Sequence, residues 1–221
     1  MSESMNTRLF FVADPMCSWC WGFRSSWKAL LKELPASVII TDLMGGLASD
    51  SDEPMDARTR AYIQHAWRSV AERTGAQFNH AFWKTCQPRR STYPACRGVI
   101  SAGLQSPGAR TQYYDAVQIA YYLEARNPSE MSTLVSLAAE IGLDKDRFER
   151  DLQGQAVQEA FEKEQAQVRA FGVRGFPTII WYRQDKNGQE QKELLSAGYV
   201  DKDTLLNRWI KLTEHTPNNG Q

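Results

Sequence analysis

The chain opens on an apolar run, Leu9, Phe10, Phe11, Val12 and Ala13, that breaks off at Asp14 and Pro15. An apolar, aromatic run ended by turn residues predicts a buried strand over residues 8–13. The period then changes. Trp19, Phe23, Trp27, Leu30, Leu31 and Leu34 recur at steps of three and four before Pro35, which is the spacing of one helix face and predicts a helix over residues 18–34. Val38, Ile39 and Ile40 predict a second buried strand, released at Met44, Gly45 and Gly46.

From about residue 55 to about residue 153 the strand signal is gone, and apolar stripes at helical spacing follow one another. Tyr62, Ile63, Ala66, Trp67 and Val70 form one stripe, and Tyr113, Val117, Ala120, Tyr121 and Leu123 another. Leu134, Leu137, Ala138 and Ile141 form a third that stops at Gly142, after which Asp144 is the expected N-cap of a helix carrying Phe148 and Leu152. A longer helix from Gln155 carries Val157, Phe161, Val168 and Phe171 and halts at Gly172. Sheet character returns at Thr178, Ile179, Ile180, Trp181 and Tyr182; Asp185, Lys186, Asn187 and Gly188 predict a hairpin turn, with residues 193–197 pairing back. Asp201 or Asp203 is expected to cap a last helix carrying Leu205, Leu206, Trp209 and Ile210, and a frayed polar tail is expected after Thr213. So long a helical stretch between two halves of a sheet is a domain and not a loop. The predicted fold is α/β, a thioredoxin-like core with an inserted all-helical domain: core over residues 1–50 and 155–221, insertion over residues 51–154.

Composition narrows the function. The 221 residues hold 26 basic and 26 acidic side chains, a formal charge of +0, so no net field draws in nucleic acid or an anionic membrane. The five-residue apolar run near the N-terminus is too short for a signal-peptide core or a membrane span, which predicts a cytoplasmic protein. Four cysteines do not build a disulfide scaffold in a reducing compartment, leaving catalysis, metal binding or core packing.

Cys17, Ser18, Trp19 and Cys20 put two thiols in the first turn of the first helix, close enough to close a disulfide. The helix N-terminus favours a thiolate, lowering a cysteine pKa from about 8.5 into roughly the 3.5 to 7.5 range, so Cys17 is the expected nucleophile. Cys20, one turn on and more buried, is the expected resolving thiol of a mixed disulfide. A zinc site would need a second pair of ligands. There is no second C-x-x-C, and His65, His80 and His215 form no ligand spacing with Cys86 and Cys96, so no metal is expected. Pro177 opens what otherwise reads as a central strand, after Gly175 and Phe176; a cis Phe176–Pro177 bond beside the thiols would leave the Phe176 backbone free to pair with an extended substrate.

The stretches Asp14, Pro15, Met16, Cys17, Ser18, Trp19, Cys20, Trp21, Gly22, Phe23 and Val173, Arg174, Gly175, Phe176, Pro177, Thr178 resemble the DsbA family of the thioredoxin superfamily. The resemblance spans nearly the whole chain. It is greatest to the cytoplasmic protein-disulfide-isomerase branch related to the FrnE-like proteins, to 2-hydroxychromene-2-carboxylate isomerase and to kappa-class glutathione transferase. It implies Cys17 as the attacking thiol, Cys20 as the resolving thiol and Pro177 as a cis-proline. Ser18 and Trp19 stand where the periplasmic oxidants of the family carry Pro-His, which argues against a strongly oxidising pair and for a reductase or isomerase of protein disulfides. The isomerase and transferase relatives use glutathione with a serine in the attacking position. Cys17 replaces that serine, so their reaction on an aromatic or polyketide substrate stands as the alternative.

Several residues carry more than one reading. Asp14 is placed either to cap the first helix or to relay a proton to Cys20. Cys86 and Cys96, separated by nine residues, are either a second redox pair or inert core thiols, and the loop between them brings Arg89 and Arg90 to an acidic ligand or to solvent. Trp19, Trp21, Phe23 and Phe176 are expected to surround the thiols as a loosely specific peptide groove, with Ser18, Trp19, Gly175 and Phe176 contacting substrate and Trp27 in the core. The expected partner is a disulfide-containing protein or peptide. No tightly bound cofactor is expected, glutathione is the expected thiol donor, and a non-catalytic binding module, homodimeric through the helical domain, is a third reading.

Overall fold

The computed structural model describes residues 6–106, 108–184 and 188–214. The predicted turn at residues 185–187 and the tail beyond residue 214 lie outside the described residues. Strand β1 (Asn6–Ala13) leads into helix α1 (Ser18–Glu33) and strand β2 (Ile39–Met44). Six helices follow among the described residues: α2 (Ala57–Thr74), α3 (Phe82–Thr85), α4 (Tyr93–Gly103), α5 (Ala109–Tyr122), α6 (Met131–Glu140) and α7 (Lys145–Gln153). Helix α8 (Gln155–Ala170), strands β3 (Thr178–Gln184) and β4 (Glu190–Ala197) and helix α9 (Lys202–Glu214) complete the order.

The strands form one sheet in the order β2-β1-β3-β4, with β1 parallel to β2 and antiparallel to β3, and β3 antiparallel to β4. Successive side chains on a strand face opposite ways, and β1 uses both faces. Leu9, Phe11 and Ala13 pack with Phe23 and Leu30 of α1 and with Leu205 and Trp209 of α9. Phe10 and Val12 pack on the other face with Leu43, Ile180 and Val168 of α8. A third cluster, built around Trp67, Phe82, Tyr113, Tyr121, Tyr122 and Phe148, belongs to the helical stretch but also takes in Met16, Trp21 and Met44. Those three residues, two beside the thiols and one ending β2, are the seam between core and insertion.

Two expectations are corrected here. Ile39 and Ile40 are not buried, at 43% and 42% exposed; β2 is an edge strand, where an apolar side chain is not covered by default, and its buried residues are Leu43 and Met44. Tyr62 lies off the stripe to which it was assigned and is 67% exposed, while Ile63, Trp67 and Val70 face inward. Of the two candidate caps for the last helix it is Asp201 that accepts from the Thr204 N–H, at 2.9 Å, and Asp144 caps α7 by accepting from Asp146 and Arg147.

Candidate active site

Strand β1 delivers the chain to Asp14 and Pro15, and the Cys17 N–H donates to the Asp14 carbonyl at 3.0 Å. That turn aims the chain into α1, with Cys17 extended at the N-cap position and Trp21 N–H donating to its carbonyl at 3.0 Å. Cys17 and Cys20 are both buried free thiols. The Cys17 thiol donates to the Phe176 carbonyl at 3.6 Å, and the Phe176–Pro177 peptide bond is cis. Gly198 N–H holds the Pro177 carbonyl at 2.7 Å and the Thr178 hydroxyl holds the Gly175 carbonyl at 2.8 Å, so the loop before β3 is tied to the end of β4 and to itself.

Cys20 follows in the first turn of α1, and burial followed by the neighbouring Cys17 thiol pushes the Cys20 thiol well above its ordinary value. Ser18 and Trp19 are half-buried, with Trp19 6.1 Å from the Tyr199 ring, and Gly175 is exposed. The apolar surround is narrower than expected. Trp21 is stacked on Tyr122 at 5.3 Å and donates its indole N–H to the Gln77 carbonyl, which places it in the insertion's core, and Phe23 is fully buried between sheet and helix. Trp19 and Phe176 remain beside the thiols. A groove lined by Val173, Gly175, Phe176, Lys192 and Leu194 starts at the Phe176 loop. Trp27 stacks on Phe11 at 4.5 Å.

Asp14 does not cap α1. Its Oδ1 accepts from the Met16 N–H at 2.7 Å, one residue before the N-cap, and Oδ2 accepts from the Leu47 N–H at 2.7 Å, the Thr92 hydroxyl at 2.6 Å and the Cys96 thiol at 3.6 Å. The carboxyl is completely buried, and burial raises its pKa against the lowering effect of those four donors. It stands within the electrostatic reach of Cys20.

Cys86 and Cys96 face different partners. The Cys86 thiol donates to the Ala125 carbonyl at 3.1 Å, while Cys96 is fully buried against Asp14. Arg89 turns into the insertion, where it donates to the Ser129 carbonyl and pairs with Glu130, and Arg90 is exposed. Thr92 and the Leu47 backbone are site residues that sequence reasoning missed, and Cys96, weighed there only as a partner of Cys86 or an inert core thiol, is placed against Asp14. One signal was available: Thr92 and Cys96 are four apart, which puts a hydroxyl at the N-cap and a thiol on one face of a mostly apolar helix. Among the described residues no group of three or more His, Cys, Asp and Glu is placed to hold a metal ion, and no helix is long and apolar enough to cross a membrane.

The fold, with a Cys-x-x-Cys pair at the start of α1, places the chain in the thioredoxin-like class. The chain belongs to the thioredoxin family: the family model described as Thioredoxin matches residues 10–201. A protein-disulfide-isomerase candidate from Nitrosomonas europaea superposes with a TM-score of 0.81 at 28% identity, covering 95% of this chain and 99% of that one. The cytosolic disulfide reductase DsbM from Pseudomonas aeruginosa gives 0.70 at 21% identity over 94% and 98% of the two chains, and its structure with GSH gives 0.71 at 22%. The ClpXP adapter protein SpxH of Bacillus subtilis is 24% identical over 191 residues, 86% of this chain and 61% of its own length. The chain thus spans about three fifths of the curated relatives it matches.

Proposed function

We propose that this protein is a thiol–disulfide oxidoreductase that reduces or isomerises the disulfides of protein or peptide substrates in the cytosol, with glutathione as the thiol donor. The observation that carries the reading is the Cys17 thiol at the start of α1, 3.6 Å from the carbonyl of Phe176, with Cys20 behind it. A substrate strand laid along the Phe176 loop would bring its disulfide to Cys17. The Cys17 thiolate attacks one substrate sulfur, the substrate S–S bond breaks, and the other substrate sulfur leaves as a thiolate that takes up a proton. Cys20 then gives its proton to the Asp14 carboxylate and attacks Cys17 Sγ; the mixed disulfide breaks, the second substrate sulfur leaves as a thiolate that takes up a proton, Cys17 and Cys20 are left as a disulfide, and Asp14 gives up its proton to restore the carboxylate. Two glutathione thiols return the pair to the dithiol and leave as glutathione disulfide. Where Cys20 resolves slowly, a second substrate thiol displaces Cys17 instead, and the substrate's bridges are reshuffled.

Cys17 also argues against the glutathione-dependent isomerase reading, which calls for a serine there. Insulin reduction separates the two: wild type should turn over, Cys17→Ser should be inactive, and Cys20→Ser should accumulate a mixed disulfide on Cys17. Turnover by Cys17→Ser would sink the thiol mechanism. A measured potential near that of the strong periplasmic oxidants, roughly −120 mV, would sink the reducing direction.

A further inference from the structure

We propose that Thr92 and Cys96, both on the helical insertion, are positioning residues that set how readily Asp14 takes the proton of Cys20, so that the insertion is a chemical part of the redox centre. The inference rests on the reading of Asp14 as the proton acceptor for the resolving thiol.

Asp14 is a buried acid whose hydrogen-bond partners include no cation: the donors are Met16 N–H, Leu47 N–H, the Thr92 hydroxyl and the Cys96 thiol. The titratable groups around it are Cys17 at the N-cap of α1, Cys20 on α1, Cys96 on α4 and Tyr114, Tyr121 and Tyr122 on α5, with Glu164 of α8 acting on Cys96, Asp42 of β2 on Tyr114 and Arg90 on Tyr121. Arg90, the one cation in this set, is exposed and makes no hydrogen bond to Asp14, so the contacts that hold the carboxylate are neutral donors. The Thr92 hydroxyl has little freedom to do otherwise. Its oxygen accepts from Ala48 N–H at 3.1 Å and shares the Leu47 N–H, 3.0 Å away, with Asp14 Oδ2, which occupies its acceptor side and turns its own proton toward an acceptor. Asp14 Oδ2 at 2.6 Å is a far better acceptor for it than the Ala48 carbonyl at 3.4 Å. With Cys96 donating to the same oxygen, Oδ2 carries three donors and Oδ1 one. Oδ1 is therefore the oxygen with a lone pair left for the incoming proton. Donors to the ionised form favour that form, so the insertion keeps Asp14 in the state that accepts a proton when Cys20 must lose one to attack Cys17.

The test follows resolution directly. Reduced protein is mixed with glutathione disulfide across pH 5 to 9 and acid-quenched, and the Cys17–glutathione adduct and the Cys17–Cys20 disulfide are counted by mass. In wild type the decay of the adduct should show an inflection that Asp14→Asn removes. In Thr92→Val the inflection should move up by about one pH unit, slowing resolution about tenfold below it and leaving the plateau above within about twofold. Thr92→Ser should restore the wild-type profile, and Cys96→Ala, which keeps the hydroxyl, should shift the inflection the same way by less. Adduct formation, which is the Cys17 step, should change by less than about twofold in all of these. An unmoved inflection in a folded Thr92→Val, or a parallel slowing of adduct formation, would overturn the proposal while leaving Asp14 as the acceptor. Should Thr92→Val not fold, an unmoved inflection in Cys96→Ala overturns it. An inflection that survives Asp14→Asn overturns the acceptor reading and this inference with it.

Discussion

Removing the carboxylate of Glu164 tests how the insertion is fastened to the core. Glu164 Oε2, on α8, accepts from the Met44 N–H at 2.6 Å, and both carboxylate oxygens accept from Arg110 of α5, at 2.8 and 2.7 Å. The same guanidinium nitrogen donates to the Asp42 carbonyl at 3.1 Å, so one ion pair ties β2, α5 and α8. In Glu164→Ala the Met44 amide, on a residue 1% exposed, loses its side-chain acceptor, which costs about 1–3 kcal/mol for a buried unpaired donor. The pair itself is partly screened, with side-chain exposures of 24% and 16%, and its loss adds about 1 kcal/mol. The expected total is about 2–4 kcal/mol, or about 5–15 °C in Tm for a chain of this length. Glu164→Gln keeps an acceptor for Met44 and loses only the charge, so it should lose less than half as much. Urea unfolding followed by tryptophan fluorescence reads both. A loss below about 1 kcal/mol in Glu164→Ala, or equal losses in the two variants, would refute the accounting.

Gly45 and Asp14 offer two more predictions. A Cβ built on Gly45 would overlap the ring of Phe176, so Gly45→Ala should push that ring aside, cost about 1–3 kcal/mol and slow insulin reduction severalfold through KM; unchanged kinetics would show that the ring's place is immaterial. Burial raises the Asp14 pKa, so the folded protein keeps a proton that the unfolded chain releases near pH 3.9, to a rough approximation. The contribution is fully present below that unfolded value and is lost as pH rises through the folded one. The stability of Asp14→Asn relative to wild type, from urea unfolding at pH 4 and pH 7, should therefore increase with pH, and a flat difference would contradict it.

The first elements were legible in the sequence, β1 as an unbroken apolar run cut off by turn residues and α1 as an apolar stripe that recurs at helical spacing. The strand at residues 8–13 and the helix after it were read within two residues of β1 and α1, and the place of the cysteine pair follows from where that helix starts. Ile39 and Ile40 misled because apolar character says nothing about whether a strand is central or at an edge. Helix α4 gave no period for the opposite reason. Ala95, Cys96, Gly98, Val99, Ile100, Ser101 and Ala102 are all buried, and a helix covered on nearly every side has no polar face to set the rhythm. Gly98 marks how tightly it is covered, since a Cβ there would meet the Tyr113 ring at 2.8 Å.

That buried helix carries the part of the site the sequence could not reveal. Asp14 was visible as a polar residue between an apolar run and the thiols, but its role was ambiguous because an aspartate three residues before Cys17 suits a cap as well as an acid. What separates the two is the source of its donors. A cap would draw them from the first turn of its own helix, whereas Oδ2 draws them from residues 33, 78 and 82 positions away in the chain. Only docking of α4 and the Leu47 loop onto the end of β1 makes those contacts, and no local pattern encodes a docking. The same docking excludes water from the carboxyl and replaces it with a hydroxyl, a thiol and a backbone N–H. Loosening α4 would therefore rehydrate Asp14 before it disturbed the sheet, and the chemistry of the thiol pair would change while the thioredoxin-like core stayed folded.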